Sequence, residues 1–171
     1  MVSPPWTPAP FRHPWGPAME AFQVTVFPDI VDVLRHEHEQ IRRLCTAVRE
    51  AGRDRKKRPL AALLQAVHLH QLGETAVAHP AARNSSRNGD IIARTCQSEG
   101  AGLERSLTEL SRLGVRHPGF DAGFANLSGA MLDHAADQER DEFPLLRRHV
   151  PAQRLHMMAS AMQDIQIMAR T

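Results

Sequence analysis

Within Val67-His-Leu-His-Gln-Leu-Gly-Glu-Thr-Ala-Val-Ala-His-Pro80, His70 and Glu74 stand four residues apart. On a helix that spacing stacks them on one face, so an imidazole nitrogen and a carboxylate oxygen reach the same point. The chemistry open to such a pair is cation binding, because a metal ion satisfies both groups at once. The surrounding pattern says that the pair faces inward. Leu60, Leu63, Val67, His70, Glu74 and Val77 recur at intervals of 3, 4, 3, 4 and 3, the rhythm of a buried helical stripe. An imidazole and a carboxylate buried there without partners are costly.

Polar residues interrupt three further apolar stripes. Val31, Leu34, His38, Ile41, Cys45 and Val48 form the first. Ile92, Cys96, Glu99, Leu103, Ser106, Leu110 and Leu113 form the second. Phe120, Phe124, Leu127, Met131, His134, Gln138, Asp141 and Leu145 form the third. At 1.5 Å of rise per residue in helices of alternating direction, His38, Glu99 and His134 lie about 14 Å from one end, His70 and Glu74 roughly 18 and 12 Å, and Gln138 about 8 Å. One core layer therefore collects all of these polar groups. Each left unsatisfied costs about 1–3 kcal/mol, against a normal stability of about 5–15 kcal/mol. Histidine nitrogen with carboxylate oxygen, and no cysteine at that level, suits iron, manganese or zinc. A hydrogen-bonded core network is the alternative that needs no ion.

The elements that position these residues read as helices throughout. Asp29 caps the first, with Asp32 three residues on. Arg53-Asp-Arg-Lys-Lys-Arg58 is a solvated basic connection, and Pro59 opens a second helix that runs to about His79-Pro80. His79 in its last turn complements the helix's negative end, with an outer or access role at the site as the other reading. Asn84 to Asp90 is turn chemistry, with Asp90 capping a third helix that ends at Gly114. Gly100 and Gly102 each weaken that helix by about 1 kcal/mol relative to alanine, so packing must hold it. Pro144 is expected to kink the fourth helix near its end, and Pro151 to open a last, Met-rich helix through Ala169. The expected fold is all-α: an up-down-up-down four-helix bundle over residues 29–170 with an additional C-terminal helix. Residues 1–28 are expected to form an extended or disordered Pro/Trp-rich arm, with both tryptophans and six prolines before Met19, a candidate start of the folded protein.

Composition narrows the function classes. A length of 171 residues fits one domain with a real core. A net charge of +2 gives no footprint for nucleic acid, and no apolar run spans a bilayer or follows a basic start as in a signal peptide. A cytoplasmic location is expected. Two cysteines are too few for a disulfide framework, and both fall at apolar stripe positions on different levels, so they are expected to be free. The absence of tyrosine excludes a tyrosine ligand or tyrosyl radical.

The order of motifs carries a resemblance. His38 within Leu-Arg-His-Glu-His-Glu-Gln-Ile-Arg-Arg-Leu, then His70-x-x-x-Glu74, then His134 followed by Gln138-Glu139 and Glu142-Phe-Pro144, resembles the haemerythrin-like (HHE cation-binding) family over about residues 29–148. The resemblance implies a haemerythrin-like bundle with a non-haem, di-iron centre that binds or senses oxygen, or in some members acts on peroxide, as a catalase does, or on nitric oxide. Carried over by position, His38, His70, Glu74 and His134 match the family's ligands. The third-helix histidine of the family is absent here, and Glu99 is the nearest stripe residue to replace it. Gln138 stands where an acid follows the last histidine by four, and Glu139 matches the five-residue spacing used by oxygen-carrying haemerythrins. The implied metal set is thus His38, His70, Glu74, Glu99, His134, Gln138 and Glu139. The alternative is a metal-poor or metal-free bundle that serves as a protein-interaction module. Glu-x-x-His, which ferritin-like sites need, occurs nowhere in the chain.

Overall fold

Asp29 begins the described structure in the way its sequence requires. Its side chain accepts the Asp32 backbone N–H and Asp32 accepts that of Asp29, a reciprocal capping box that starts α1 (Ile30–Glu50). The computed structural model describes residues 28–170, so the expected arm lies outside the described residues except for Pro28. A short 3-10 turn, Arg53–Arg55, leads into α2 (Lys57–Gly73). The basic connection is not wholly solvated, because Lys56 is buried with its Nζ 2.6 Å from Asp121 Oδ1 and lies over the Phe120 ring.

The rod begun by α2 continues through a π-helical turn, Glu74–Ala78, into α3 (His79–Arg83). It does not stop at Pro80. The next long helix, α4 (Arg87–Leu113), is capped by Ser86 rather than Asp90: the Ser86 hydroxyl accepts the Gly89 N–H, and the residues before Asp90 are already helical. Gly114, at φ 89, ends it. The fourth rod is α5 (Phe120–Asp137), a second π-helical turn (Gln138–Glu142) and α6 (Phe143–His149). The final helix, α7 (Ala152–Met168), follows Pro151.

Both π turns have one cause. Pro80 and Pro144 lack an N–H and their rings clash with the carbonyl four residues back. The residue before each proline reaches one residue further instead: His79 N–H donates to the Glu74 carbonyl, and Phe143 N–H to that of Gln138. The expected kink at Pro144 is thus realised as a widened turn. Each such turn inserts one residue into the helical register, so the inward stripe moves on by one. Ala78 and His79 are buried where Val77 was expected, and Glu142 with Phe143 where Asp141 was.

Among the described residues the fold is all-helical. Helix α1 packs on α2 and α5, α4 packs on α2 and α5 from the other side, and α7 lies against α1 and α2. No helix of the described residues is long and apolar enough to cross a membrane. The core divides into two apolar clusters. Ile30, Leu34, Phe143, Leu146, Met158 and Met162 belong to one, and Ile41, Leu63, Leu107, Phe120 and Phe124 to the other. Between them, in sequence, stand His38 on α1, His70 and Glu74 on the second rod, and His134 and Gln138 on the fourth, all buried. The polar layer is walled off from solvent above and below by these clusters.

Helix α4 sits differently from its expected stripe. Its buried face is Gly89, Ala93, Cys96, Gly100 and Leu107, and Glu99 and Ser106 are exposed. Small residues at this seam let the backbones approach closely. A Cβ at Gly89 would lie 2.3 Å from the Ala82 carbonyl oxygen, and one at Gly100 would lie 2.3 Å from Gln71 Oε1. The sequence stripe followed apolar bulk, whereas the contact is set by the absence of side chains.

Candidate metal centre

Four buried histidines share one arrangement, in which Nδ1 meets a carboxylate and Nε2 is left for the core. His38 Nδ1 lies 2.9 Å from Glu139 Oε1 and His70 Nδ1 2.8 Å from Glu37 Oε2. His79 Nδ1 lies 2.8 Å from Glu142 Oε1 and His134 Nδ1 3.2 Å from Glu99 Oε2. A carboxylate behind Nδ1 keeps the proton there, fixes the ring and raises the basicity of Nε2. The Nε2 atoms of His38, His79 and His134 have no hydrogen-bond partner among the described residues, although they are buried. His70 Nε2 lies 3.4 Å from Glu74 Oε1.

Glu74 is the hub. Its Oε1 accepts from Gln138 Nε2 at 2.6 Å and its Oε2 from Gln71 Nε2 at 3.0 Å, while His79 Nε2 lies 3.9 Å from Oε2. One ligand atom each from His38, His70 and Glu74 lies within 4.8 Å of the others. Donors on one ion at about 2.1 Å stand at most about 4.2 Å apart, so small side-chain shifts would bring these to a common cation. The His38 and His70 ring centroids are 4.8 Å apart, and Phe143 stacks on His38 at 5.4 Å, which holds that ring in place.

The electrostatics suit a cation. Burial would favour a neutral Glu74 carboxyl, yet the imidazoles of His70, His79 and His38 outweigh it and hold its pKa well below the usual range. Burial likewise disfavours a charged His70, but the Glu74 and Glu37 carboxylates prevail and raise its pKa. His79 is raised in the same way: Glu142 and Glu74 overcome its burial. His38 differs. Burial and the neighbouring His70 push it down to about 4, so its Nε2 is a neutral electron-pair donor near pH 7.

The residues singled out from sequence fall into two sets. His38, His70, Glu74, His134 and Gln138 are buried together in the layer. Glu139, 26% exposed in its side chain, and Glu99, 51% exposed, stand outside it, against the Nδ1 atoms of His38 and His134. Glu139 also accepts from Arg42 at 2.8 Å. Sequence reasoning gave no site role to Glu37 or Gln71, quoted Glu142 only as part of the motif Glu142-Phe-Pro144, and gave His79 at most an outer role. Glu142 is 1% exposed with Oε2 unpartnered, and His79 is fully buried. The missed signal is a repeat: His70-x3-Glu74-x4-His79-Pro80 and His134-x3-Gln138-x4-Phe143-Pro144 are the same pattern, which sets His79 opposite Phe143 and Glu142 opposite Ala78.

A helical bundle whose core gathers histidines and a shared carboxylate defines a metal-binding helical protein. The haemerythrin HHE cation-binding domain model matches residues 29–146. The chain belongs to the haemerythrin HHE cation-binding domain family, as its motif order suggested. Among solved structures it is similar to a haemerythrin HHE cation-binding domain-containing protein from Mycobacterium kansasii, with 19% identity and a TM-score of 0.73 over 84% of this chain and 88% of that one. That likeness establishes the fold. No curated protein matches the sequence.

Proposed function

We propose that the protein is a non-haem iron protein, an up-down-up-down four-helix bundle whose core holds a di-iron centre and binds or reacts with a small oxidant such as dioxygen, peroxide or nitric oxide. The observation that carries this reading is the convergence of His38, His70 and Glu74 to within 4.8 Å beside a small cavity. That cavity, about 30 Å³, is lined by His38, His70 and His134 together with Ile41, Val67 and Met131. A water-sized body needs about 10–15 Å³, so the space has room for a species of two or three heavy atoms.

The residues fit the ion. Unpartnered imidazole nitrogens and a carboxylate with both oxygens in the core are the donor set that iron takes, and there is no thiolate in the set. His38, His70 and Glu74 would hold the first iron, with His134 and Gln138 beside it. Bound iron supplies the redox chemistry toward the oxidant. The chain supplies the rest. Glu139, Glu37 and Glu99 hold the Nδ1 protons of His38, His70 and His134 so that Nε2 is the donor. The apolar wall of the cavity keeps bulk water from the layer. Gln138 brings an amide in place of an acid, which leaves the centre one negative charge short and suits turnover of peroxide better than reversible oxygen carriage.

The test is iron analysis of protein purified from iron-supplemented cells, with melting curves before and after chelation. Iron should be present and its removal should lower the melting temperature, because metal-binding energy is folding energy when the ligands are buried. His70→Ala should lower the iron content and shrink the difference between the curves. Absence of iron with superimposable curves would replace this reading with a hydrogen-bonded core in a protein-interaction bundle.

A further inference from the structure

Glu74 has an imidazole near each oxygen: His70 Nε2 is 3.4 Å from Oε1, and His79 Nε2 is 3.9 Å from Oε2. Behind His79 stands Glu142, whose Oε1 meets Nδ1 at 2.8 Å and whose Oε2 has no nitrogen or oxygen donor, the buried Cys96 thiol being the carboxylate's other neighbour. The two come from different rods, 63 positions apart in the chain, and are 0% and 1% exposed. A packing solution without them exists in the same molecule. The repeat-mate of His79 is Phe143 and that of Glu142 is Ala78, both apolar and both buried. Placing an imidazole there leaves its Nε2 unsatisfied, a cost of about 1–3 kcal/mol. The π turns are what deliver the two residues. Without the extra residue in each rod, the straight helical stripe would turn Val77 and Asp141 inward instead.

The chain also lacks donors elsewhere. No histidine occurs on α4, and Gln138 offers an uncharged oxygen. We propose that His79, its Nδ1 held by Glu142, supplies through Nε2 the second cation position of the centre, which shares the Glu74 carboxylate with the His38 and His70 side and takes a transition-metal dication of the iron class. This rests on the iron reading above and assigns the second ion's residues. Glu74 would serve both positions, since its Oε1 lies near His70 and its Oε2 near His79. His79 Nε2 would replace a missing histidine of α4, and Glu142, behind Nδ1, would keep the proton there and raise the basicity of Nε2.

The experiment measures metal per chain on wild type and on a double variant, His79→Phe with Glu142→Ala, that installs the repeat-mate residue types. Removing both partners together avoids leaving one buried charge alone. A second variant, Glu142→Gln, keeps the volume and the acceptor for His79. Anaerobic titration with cobalt(II), followed by its visible absorption, and iron analysis after reconstitution give the counts. Wild type should take two equivalents and the double variant one. His70→Ala added to the double variant should remove that last equivalent. Glu142→Gln should weaken the second equivalent at least tenfold while leaving the first unchanged. Wild type that binds no metal would refute the iron reading itself. Only one equivalent in wild type would overturn the di-iron part of that reading together with this assignment, whereas two retained in the folded double variant would overturn this assignment alone. So would loss of the second equivalent on His134→Ala together with its retention in the double variant.

Discussion

Two glycines on α4, two residues apart, should respond in opposite ways to the same substitution. Gly102 has only Arg105 Nη2, at 3.9 Å, near the place a Cβ would occupy. Gly102→Ala should therefore gain the helix propensity difference of about 0.5–1 kcal/mol and raise the melting temperature by about 1–4 °C in a domain of this size. Gly100 is buried, and a Cβ there would meet Gln71 Oε1 at 2.3 Å, Nε2 at 2.5 Å and Cδ at 2.7 Å. Gln71 is itself buried and donates to Glu74 Oε2 at 3.0 Å, so its amide cannot retreat without releasing that carboxylate. Overpacking costs about 1–3 kcal/mol and the lost bond to a charged acceptor about 1.5–3 kcal/mol, against a propensity gain of about 1 kcal/mol. Gly100→Ala should lose about 1.5–5 kcal/mol, a fall of at least about 3 °C, and should also weaken metal binding at Glu74. Calorimetry of the metal-free proteins, paired with chelator competition, measures both effects. If Gly100→Ala stabilises the protein as Gly102→Ala does, Gln71 is not wedged between α4 and Glu74, and its part in setting the carboxylate is refuted.

Glu37 holds His70 through Nδ1 and is itself held by Gln166 of α7 at 2.8 Å, so Glu37→Gln should lower metal affinity about 10–100-fold by chelator competition, and Gln166→Leu should act in the same direction more weakly. Unchanged affinities in both would show that Nδ1 need not be fixed. Metal-free protein should lose stability on both pH flanks. His70, raised toward about 10, stabilises fully below pH 6.5 and loses that contribution as pH rises through 10, whereas Glu74, lowered toward about 2, stabilises above pH 4.5 and loses it as pH falls. His38, depressed to about 4, adds to the acid loss between pH 6.5 and 4. Urea midpoints across pH should show His70→Ala flattening the alkaline flank, and parallel curves would refute the pairing. Cys45 and Cys96 are free and buried; burial pushes Cys45 up to about 11, and burial together with the neighbouring Glu142, Glu74 and Glu99 carboxylates raises Cys96 further. Both thiols should react with a disulfide reagent at pH 8 only after denaturation, and fast reaction in the native protein would show that the core opens.

The layer of His38, His70, Glu74, His134 and Gln138 was legible because each residue breaks an otherwise apolar 3.6-residue stripe. Such breaks survive any error in helix ends. Helix α4 was less legible, since its inward face is marked by small residues rather than large ones. Gly89, Ala93, Cys96 and Gly100 recur at 4, 3 and 4, a stripe as regular as the leucine stripe of α2 but invisible to a search for bulk. Reading it as a close-approach seam would have placed Glu99 outside the layer, where it meets His134 Nδ1 from the surface. The outer carboxylates cannot be found by periodicity at all, because Glu37 and Glu139 sit one residue to the side of an inward histidine or glutamine and look like solvated charges.

The residues beyond each proline-linked turn were misplaced for a reason that the sequence itself contains. A proline within a helical stripe removes a donor and crowds the carbonyl four residues back, and the chain can answer by breaking, by kinking or by widening one turn. Widening keeps the rod continuous but adds one residue to the register, so every inward position after it moves by one. The pattern His-x3-Glu/Gln-x4-His/Phe-Pro occurs twice, and in both copies the residue before proline is buried with its N–H bonded five residues back. The copies differ just where their partners require it. Beside Phe143, which stacks on His38, Glu142 replaces the counterpart Ala78; in the other rod His79 replaces the counterpart Phe143. These two exchanges place complementary polar groups 2.8 Å apart in the core, whereas either exchange alone would bury an unpaired polar side chain. The pair is therefore to be read as one unit, and because His79 Nε2 remains unpartnered after the two residues meet, mutual hydrogen bonding does not account for it in full.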